Sequence, residues 1–338
     1  MKIRLNKSNM ILAVLFIILV ALVSLYLMTR QTMETPNTLS ESKFIELKSG
    51  ASVRSLARQL EQHELLDHPK LLVLWTRLNG DATRLQVGEY VINPGATLSE
   101  LLTDITSGRV RQYALQLLEG LTFKEFMQMI QNHEAITHEL AGLSQQEILE
   151  LLDIKYDHPE GLFFPETYYI HKNTSDVAVL KRAYAHMKKN LQNLWQERDK
   201  GLPFKTAYEA LIMASIVEKE SAVADERVLI AGVFINRLRK NMRLQTDPTV
   251  IYGIGDKYDG DIRYRDLRTD TPYNTYTRKG LPPTPIAMPS LGAIKAVMHP
   301  STTEYLYFVA IDDNSGRHKF SRTLDEHVNA VNKYQKRK

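Results

Sequence analysis

The nineteen residues from Met10 to Met28 contain no charged side chain and no proline. A bilayer core takes roughly 20 apolar residues as helix. Within lipid a helix satisfies its own backbone hydrogen bonds, so such a run can span. Lys2, Arg4 and Lys7 precede it and Arg30 comes after it. Basic residues favour the cytoplasmic side, which predicts an inside N-terminus and an exported remainder. A cleaved signal peptide is the competing reading. Those peptides carry a shorter apolar stretch of roughly 7–15 residues and a small-residue cleavage site. Thr29-Arg30-Gln31-Thr32 is a poor one, so the run is read as an uncleaved anchor.

The chain has 338 residues and no cysteine. An exported chain without disulfides depends on core burial for stability, and the length beyond the anchor suits about two domains. Net charge is +4, with the cations scattered rather than clustered, so no nucleic-acid footprint is expected. The basic end Lys333, Lys336, Arg337, Lys338 reads as a solvated helix end. Thr29 to Lys43 is polar and is expected to be a flexible stalk.

One local pattern then recurs: a short apolar strand, Gly-x-Ser/Thr, and an amphipathic helix. It occurs at Gly50-Ala51-Ser52, Gly95-Ala96-Thr97 and Gly120-Leu121-Thr122. Glycine permits the turn, and the hydroxyl caps the helix after it. Glu100 and Glu125 stand at capping-box distance from Thr97 and Thr122. Gly50-x-Ser52 with Leu56-Ala57 resembles the first half of a LysM module, which binds N-acetylglucosamine polymers; ordinary capping explains the same residues. Leu143 to Leu152 and Val177 to Asp199 read as helices. In Glu160 to Tyr169, Phe163 and Phe164 are assigned to the core, with Tyr168 and Tyr169 undecided.

A buried helix begins after Thr206. From Leu211 to Val217 it is apolar all round, and two carboxylates, Glu218 and Glu220, arrive at its end about 200° apart at roughly 100° per residue. Glu218 shares a face with Leu211, Ala214 and Ser215. A carboxyl on a buried face loses solvation, which raises a pKa and suits a general acid, so Glu218 is favoured over Glu220. The alternative is that Glu218 merely ends the helix and pairs with Lys219 or Arg227. Glu226 to Asn241 is a second helix, with Val228, Ala231, Ile235 and Leu238 inward and close packing expected at Gly232. Three rigid polar loops come next: Leu244 to Val250, Pro272 to Tyr276 and Gly280 to Ile286. Gln245, Asn274, Thr275 and Tyr276 offer uncharged groups suited to sugar hydroxyls, although Asn274 and Thr275 can also bond their own turn. A helix from Ser290, two strands (Tyr305 to Ile311 and Gly316 to Ser321) and a closing helix from Leu324 to Tyr334 end the chain. His299, His318 and His327 lack metal-ligand spacing, so no metal and no cofactor are expected.

Ala214-Ser215-Ile216-Val217-Glu218-Lys219-Glu220, Val233 to Leu238, Leu244-Gln245-Thr246-Asp247-Pro248, Pro272-Tyr273-Asn274-Thr275-Tyr276 and Gly280-Leu281-Pro282-Pro283, in that order, resemble the endolytic murein transglycosylases, the YceG-like proteins. Met288-Pro289-Ser290 departs from the small-Pro-Gly usual there. The resemblance implies an α+β fold: a cytoplasmic tail (1–9), a membrane helix (10–28), a linker (29–43), a LysM-like region with its strand-turn-helix units (44–158) and a catalytic domain (159–338). It implies cleavage of the bond between N-acetylmuramic acid and N-acetylglucosamine within glycan strands, leaving 1,6-anhydro ends. Glu218 would be the single acid and base, with Gln245, Asp247, Asn274 and Tyr276 lining the groove. A hydrolase in which Asp247 or Glu166 activates water, and a non-catalytic glycan-binding scaffold, are the alternatives. The implied setting is a bacterial inner membrane with the catalytic domain periplasmic and peptidoglycan synthases (penicillin-binding proteins) as partners.

Overall fold

The computed structural model describes residues 7–221, 223–313 and 315–335. Lys2 and Arg4 of the orientation signal and Lys336, Arg337 and Lys338 of the basic end lie outside them. The chain forms two compact units. One is 1–113 with 169–172; the other is 114–168 with 173–338. The two units divide near Tyr113, and the third strand-turn-helix unit packs with the later part of the chain.

The first unit contains α1 (Lys7–Glu34), β1 (Lys43–Leu47), α2 (Val53–Gln62), α3 (Pro69–Leu78), β2 (Gly88–Ile92) and α4 (Leu98–Ser107). β1 and β2 pair antiparallel, from Lys43 against Ile92 to Leu47 against Gly88. Leu56 and Leu60 of α2, Leu72 of α3 and Leu101 and Ile105 of α4 pack with Tyr90 into one core. α1 is long and apolar enough to cross a membrane. It does not stop where the apolar run stops. Thr29 and Met33 are buried, and α1 packs on α3 and α4. Asn37 then donates to the carbonyls of Asn93 and Ala96 at 2.9 and 2.7 Å. The flexible stalk expected at 29–43 is thus replaced by a helix extension and a tied-down turn. Met33 supplies the reason, since burying such a side chain is worth about 1.5–3 kcal/mol and outweighs polar neighbours.

The second unit takes up the chain within β3 (Tyr113–Gln116) and continues α5 (Phe123–Gln131), β4 (Ile136–Thr137), α6 (Gln145–Leu151), β5 (Thr167–Ile170), β6 (Thr174–Ser175) and α7 (Asp176–Glu197). α8 (Ala207–Glu220), α9 (Arg227–Arg239), α10 (Asp247–Ile254), α11 (Tyr264–Arg268), α12 (Leu291–Met298), β7 (Tyr307–Ala310), β8 (His318–Ser321) and α13 (Leu324–Tyr334) complete it. α8 is the centre: Ala210 to Val217 are all buried, and α7, α9, α10 and α12 pack around it. The capping boxes predicted at Thr97 and Thr122 form, with Glu100 and Glu125 returning a hydrogen bond to the cap. At Thr206 the glutamate reaches one residue further and accepts from Lys205 N–H instead.

Two local differences and one agreement matter for the site. The expected loop from Leu244 to Val250 becomes helical at Asp247, because Pro248 suits a first helical turn. In α9 the buried set is Ile230, Ala231, Val233, Phe234, Ile235 and Arg237, while Val228 and Leu238 are only half-buried. Gly232 is where close packing was expected: a Cβ there would lie 2.6 Å from the Ser301 carbonyl oxygen.

Candidate active site

The two carboxylates at the end of α8 enter different surroundings. Glu218 points toward α9 and the start of α12. Its Oε1 accepts from Arg227 Nη2 at 3.1 Å, and its Oε2 accepts from Ser290 N–H at 2.8 Å and from the Ser290 hydroxyl. Its side chain is 4% exposed and that of Arg227 is 14%. Glu218 is therefore ion-paired and joins three helices. The pairing with Arg227, set beside the catalytic reading of Glu218 in the sequence, is formed. Ser290 stands in the segment where the chain departs from the family pattern, and it caps α12 while holding Glu218.

Glu220, on the opposite side, reaches a cleft of about 460 Å³. Its wall includes Arg237 of α9, Gln245, Asp247 of α10 and Tyr276, with the β7–β8 hairpin and α13 opposite. Burial pushes the Glu220 carboxyl up to about 7, and the charge of Asp247 adds to this, against a hydrogen bond from the Thr246 hydroxyl and the Arg237 charge. Glu220 thus has the unpaired, desolvated environment that a proton donor at neutral pH needs. Arg237 is anchored by donating to the carbonyls of Leu306 at 2.6 Å and Leu244 at 2.8 Å, so its charge is fixed beside the cleft.

Asp247 and Tyr276 face the cleft together, the Tyr276 hydroxyl donating to Asp247 Oδ1 at 2.6 Å. Burial raises the Tyr276 phenol, keeping it a neutral donor. Gln245 is exposed on the cleft wall, with a left-handed φ of 51°. Asn274 does not join them. It is 1% exposed; its amide donates to the carbonyls of Asp266, Leu267 and Thr269, and its Oδ1 accepts from Tyr276 N–H at 2.8 Å. In the structure it is a loop strut that sets the position of Tyr276, the turn-bonding alternative read from the sequence. Thr275 likewise accepts from Thr246 N–H at 3.1 Å inside the fold.

Glu166 is away from the cleft lining, with Oε2 2.9 Å from His186 Nδ1. Tyr168 is buried and donates to the Phe164 carbonyl, whereas Tyr169 is 59% exposed. Phe163 and Phe164 are core, as expected. Two further groups escaped the sequence. Arg237 lies seven residues after Ile230 on the same buried face, a spacing that marks an inward cation. Glu160 is 2% exposed and raised to about 7 by burial, accepting from Phe123 N–H and the Tyr252 hydroxyl. It ties the 120–123 turn to α10 outside the cleft. Among the described residues no three His, Asp or Glu side chains are grouped as metal ligands would be.

A carboxyl raised to about 7 thus lies in an open cleft beside a second carboxylate, Asp247, neutral donors and the anchored Arg237, an arrangement capable of acid–base chemistry on a polar ligand. A family model described as the YceG-like family matches residues 45–333, and the chain belongs to that family. The endolytic murein transglycosylase of Bacillus subtilis strain 168 is 34% identical over 313 residues, covering 86% of this chain and 84% of that one. The endolytic murein transglycosylase of Streptococcus pneumoniae strain D39 is 29% identical over 318 residues, which is 84% of this chain and 56% of that longer protein. A crystal structure of a YceG-like protein from Listeria monocytogenes superposes with a TM-score of 0.54 at 27% identity, covering 86% of this chain and 99% of that one.

Proposed function

We propose that this protein is a membrane-anchored endolytic murein transglycosylase, with a glutamate at the end of α8 as its acid and then its base: the resemblance implies Glu218, and the position on the cleft wall favours Glu220. The observation that carries this reading is the Glu220 carboxyl, raised to about 7 at the cleft wall. Family membership and the names of the relatives supply the substrate class.

The protonated Glu220 gives its proton to the glycosidic oxygen as the C1–O4 bond between N-acetylmuramic acid and N-acetylglucosamine breaks. The resulting carboxylate takes the proton of the muramyl C6 hydroxyl, whose oxygen bonds to C1. One bond breaks, one forms, the proton returns to the enzyme, and no water enters. Glycosidases that use water need a second carboxylate; an internal hydroxyl nucleophile removes that need. The fixed Arg237 charge and the Thr246 hydroxyl stabilise the carboxylate between the two transfers. Gln245, Asp247 and Tyr276 bind sugar hydroxyl and acetamido groups, Asp247 accepting and Tyr276 fixing its orientation.

In this reading α1 spans the membrane with its N-terminus in the cytoplasm, and both units work on the outer face, the periplasm in a two-membrane cell. The strand–helix–helix–strand order of β1, α2, α3 and β2 supports the LysM-like assignment of the first unit. Peptidoglycan synthases, which make the strand being cut, are the partners this location favours.

The test is product mass. Purified peptidoglycan treated with the protein yields fragments one water lighter than reducing ends. Glu220→Gln removes them while leaving the fold intact. Reducing ends would instead establish a hydrolase, and full activity in Glu220→Gln would overturn the assignment.

A further inference from the structure

The first unit carries a groove unrelated to the cleft. It lies between α2 and α3 and encloses about 650 Å³. Ala57, Val73 and Leu74 form an apolar floor. Arg54 and Arg58 rise from α2, Lys70 and Arg77 from α3, and Glu61 is the single carboxylate lining it. All four cations are exposed. Among the described residues none of the four has a side-chain partner in the protein. Several other cations of this unit are paired: Arg84 with Asp81, Arg109 with Asp104, and Arg111 and Lys172 with Glu89. Among the described residues, most of the first unit's unpaired cations thus lie on one amphipathic groove.

The groove starts beside the anchor. Lys70 comes closely after Leu66, Asp67 and His68, and these line a recess together with Met28 and Gln31 of α1. Met28 closes the apolar run, so it marks the level at which a spanning helix leaves hydrocarbon for headgroups. Because α1 continues as rigid helix and packs on α3, no slack separates that level from the groove. A cation near an anionic bilayer surface gains attraction that decays within a Debye length, roughly 8 Å at physiological salt. Unpaired cations at this position meet phosphodiesters first.

We propose that the α2–α3 groove is a binding site for the headgroup phosphates of acidic phospholipids, seating the first unit on the membrane beside its anchor. It rests on the reading of α1 as an uncleaved anchor. The full chain is placed in two sets of lipid nanodiscs, one of phosphatidylcholine and one of equal parts phosphatidylcholine and phosphatidylglycerol. Lysine acetylation by a water-soluble reagent is then monitored by mass spectrometry. Lys70 is expected to react at least fivefold more slowly in the acidic discs, with the difference lost in high salt, while exposed Lys200 of the second unit reacts alike in both. The exposed-site variant Arg54→Gln/Arg58→Gln/Arg77→Gln should remove most of the Lys70 difference with an unchanged circular dichroism spectrum. Equal Lys70 rates in the two discs overturn the proposal and leave the groove to an acidic protein surface. Protection that survives in the triple variant also overturns it, because it would come from general proximity and not from the groove. A chain that fails to stay with either disc overturns the anchor reading, and the proposal with it.

Discussion

Replacing each of the two carboxylates at the end of α8, Glu218 and Glu220, by glutamine should move stability in opposite directions. For Glu220 the folded carboxyl titrates at about 7, against an ordinary 4.5. The folded value lies above the unfolded one, so the folded state binds the proton more tightly. Its contribution is intact below pH 4.5 and is lost as pH rises through about 7. At about 1.4 kcal/mol per pH unit that interval amounts to about 3 kcal/mol. The side chain opens on the cleft, and solvent screening reduces this to about 1–2 kcal/mol. Glu220→Gln, permanently neutral, escapes the penalty. At pH 8 its melting temperature should exceed the parent's by about 2–8 °C, from about 2–4 °C per kcal/mol in a unit of this size. At pH 4 the two should melt together. Its transglycosylase rate should fall by about 10²–10⁴, the usual worth of a general acid–base group. Glu218→Gln leaves Arg227 buried without a counter-charge. Breaking such a pair costs about 3–5 kcal/mol, and because glutamine still accepts from Ser290 we take the lower end. Its melting temperature should fall by about 6–12 °C on the same scale, with measurable rate in the folded fraction. Calorimetry across pH with parallel product assays decides the matter. A Glu220→Gln protein that melts below the parent at pH 8, or a pH-independent gap, refutes the reasoning.

Three further outcomes rest on the same contacts. Asp247→Asn removes a charge that raises Glu220, so the alkaline limb of kcat/KM should move to lower pH; an unmoved limb counts against that coupling. Asn274→Ala deletes four hydrogen bonds at about 1 kcal/mol each, and denaturant unfolding should report a loss of about 2–4 kcal/mol. KM should rise as Tyr276 loosens although Asn274 touches no ligand, and an unchanged KM would detach it from the site. Gly232→Ala drives a methyl against the Ser301 carbonyl and should cost about 1–3 kcal/mol, detectable as a lower urea midpoint.

The elements set by local chemistry were legible in the residues. Caps at Thr97, Thr122 and Ser290, the fully apolar α8 and the β7–β8 hairpin all depend on neighbours in sequence, and they form where the pattern puts them. The features that escaped depend on distant partners. Thr29 to Glu34 is polar enough to read as a stalk, and only the core that receives Met33 makes it helix. Asn274 has the composition of a ligand contact and of a turn strut alike, and the three carbonyls that claim it come from the preceding turn of chain. For the two glutamates, periodicity correctly separates their directions and is silent on the surroundings each direction meets. Leu211, Ala214 and Ser215 make the Glu218 face look like the more desolvated one, but Arg227 and Ser290 arrive there from later in the chain.

That separation has a mechanistic use. Two carboxylates two residues apart on one helix would repel and share protons if they met the same surroundings. Here Glu218 is taken up by its ion pair, and its interactions brace α8 against α9 and α12. Bracing the end of α8 holds the backbone that carries Glu220, whose side chain has the Thr246 hydroxyl as its fixed neighbour. A proton donor that must later act as acceptor needs constant position through both transfers, since misplacement by about 1 Å can cost on the order of 100-fold in rate. The strut and the acid are therefore two roles of one helix terminus. A variant that restores the Glu218 pair by another route, Glu218→Asp with Ser290 intact, should recover stability faster than rate. The shorter side chain can still meet Arg227 while shifting the helix end that aims Glu220, and equal recovery of both would separate the two roles.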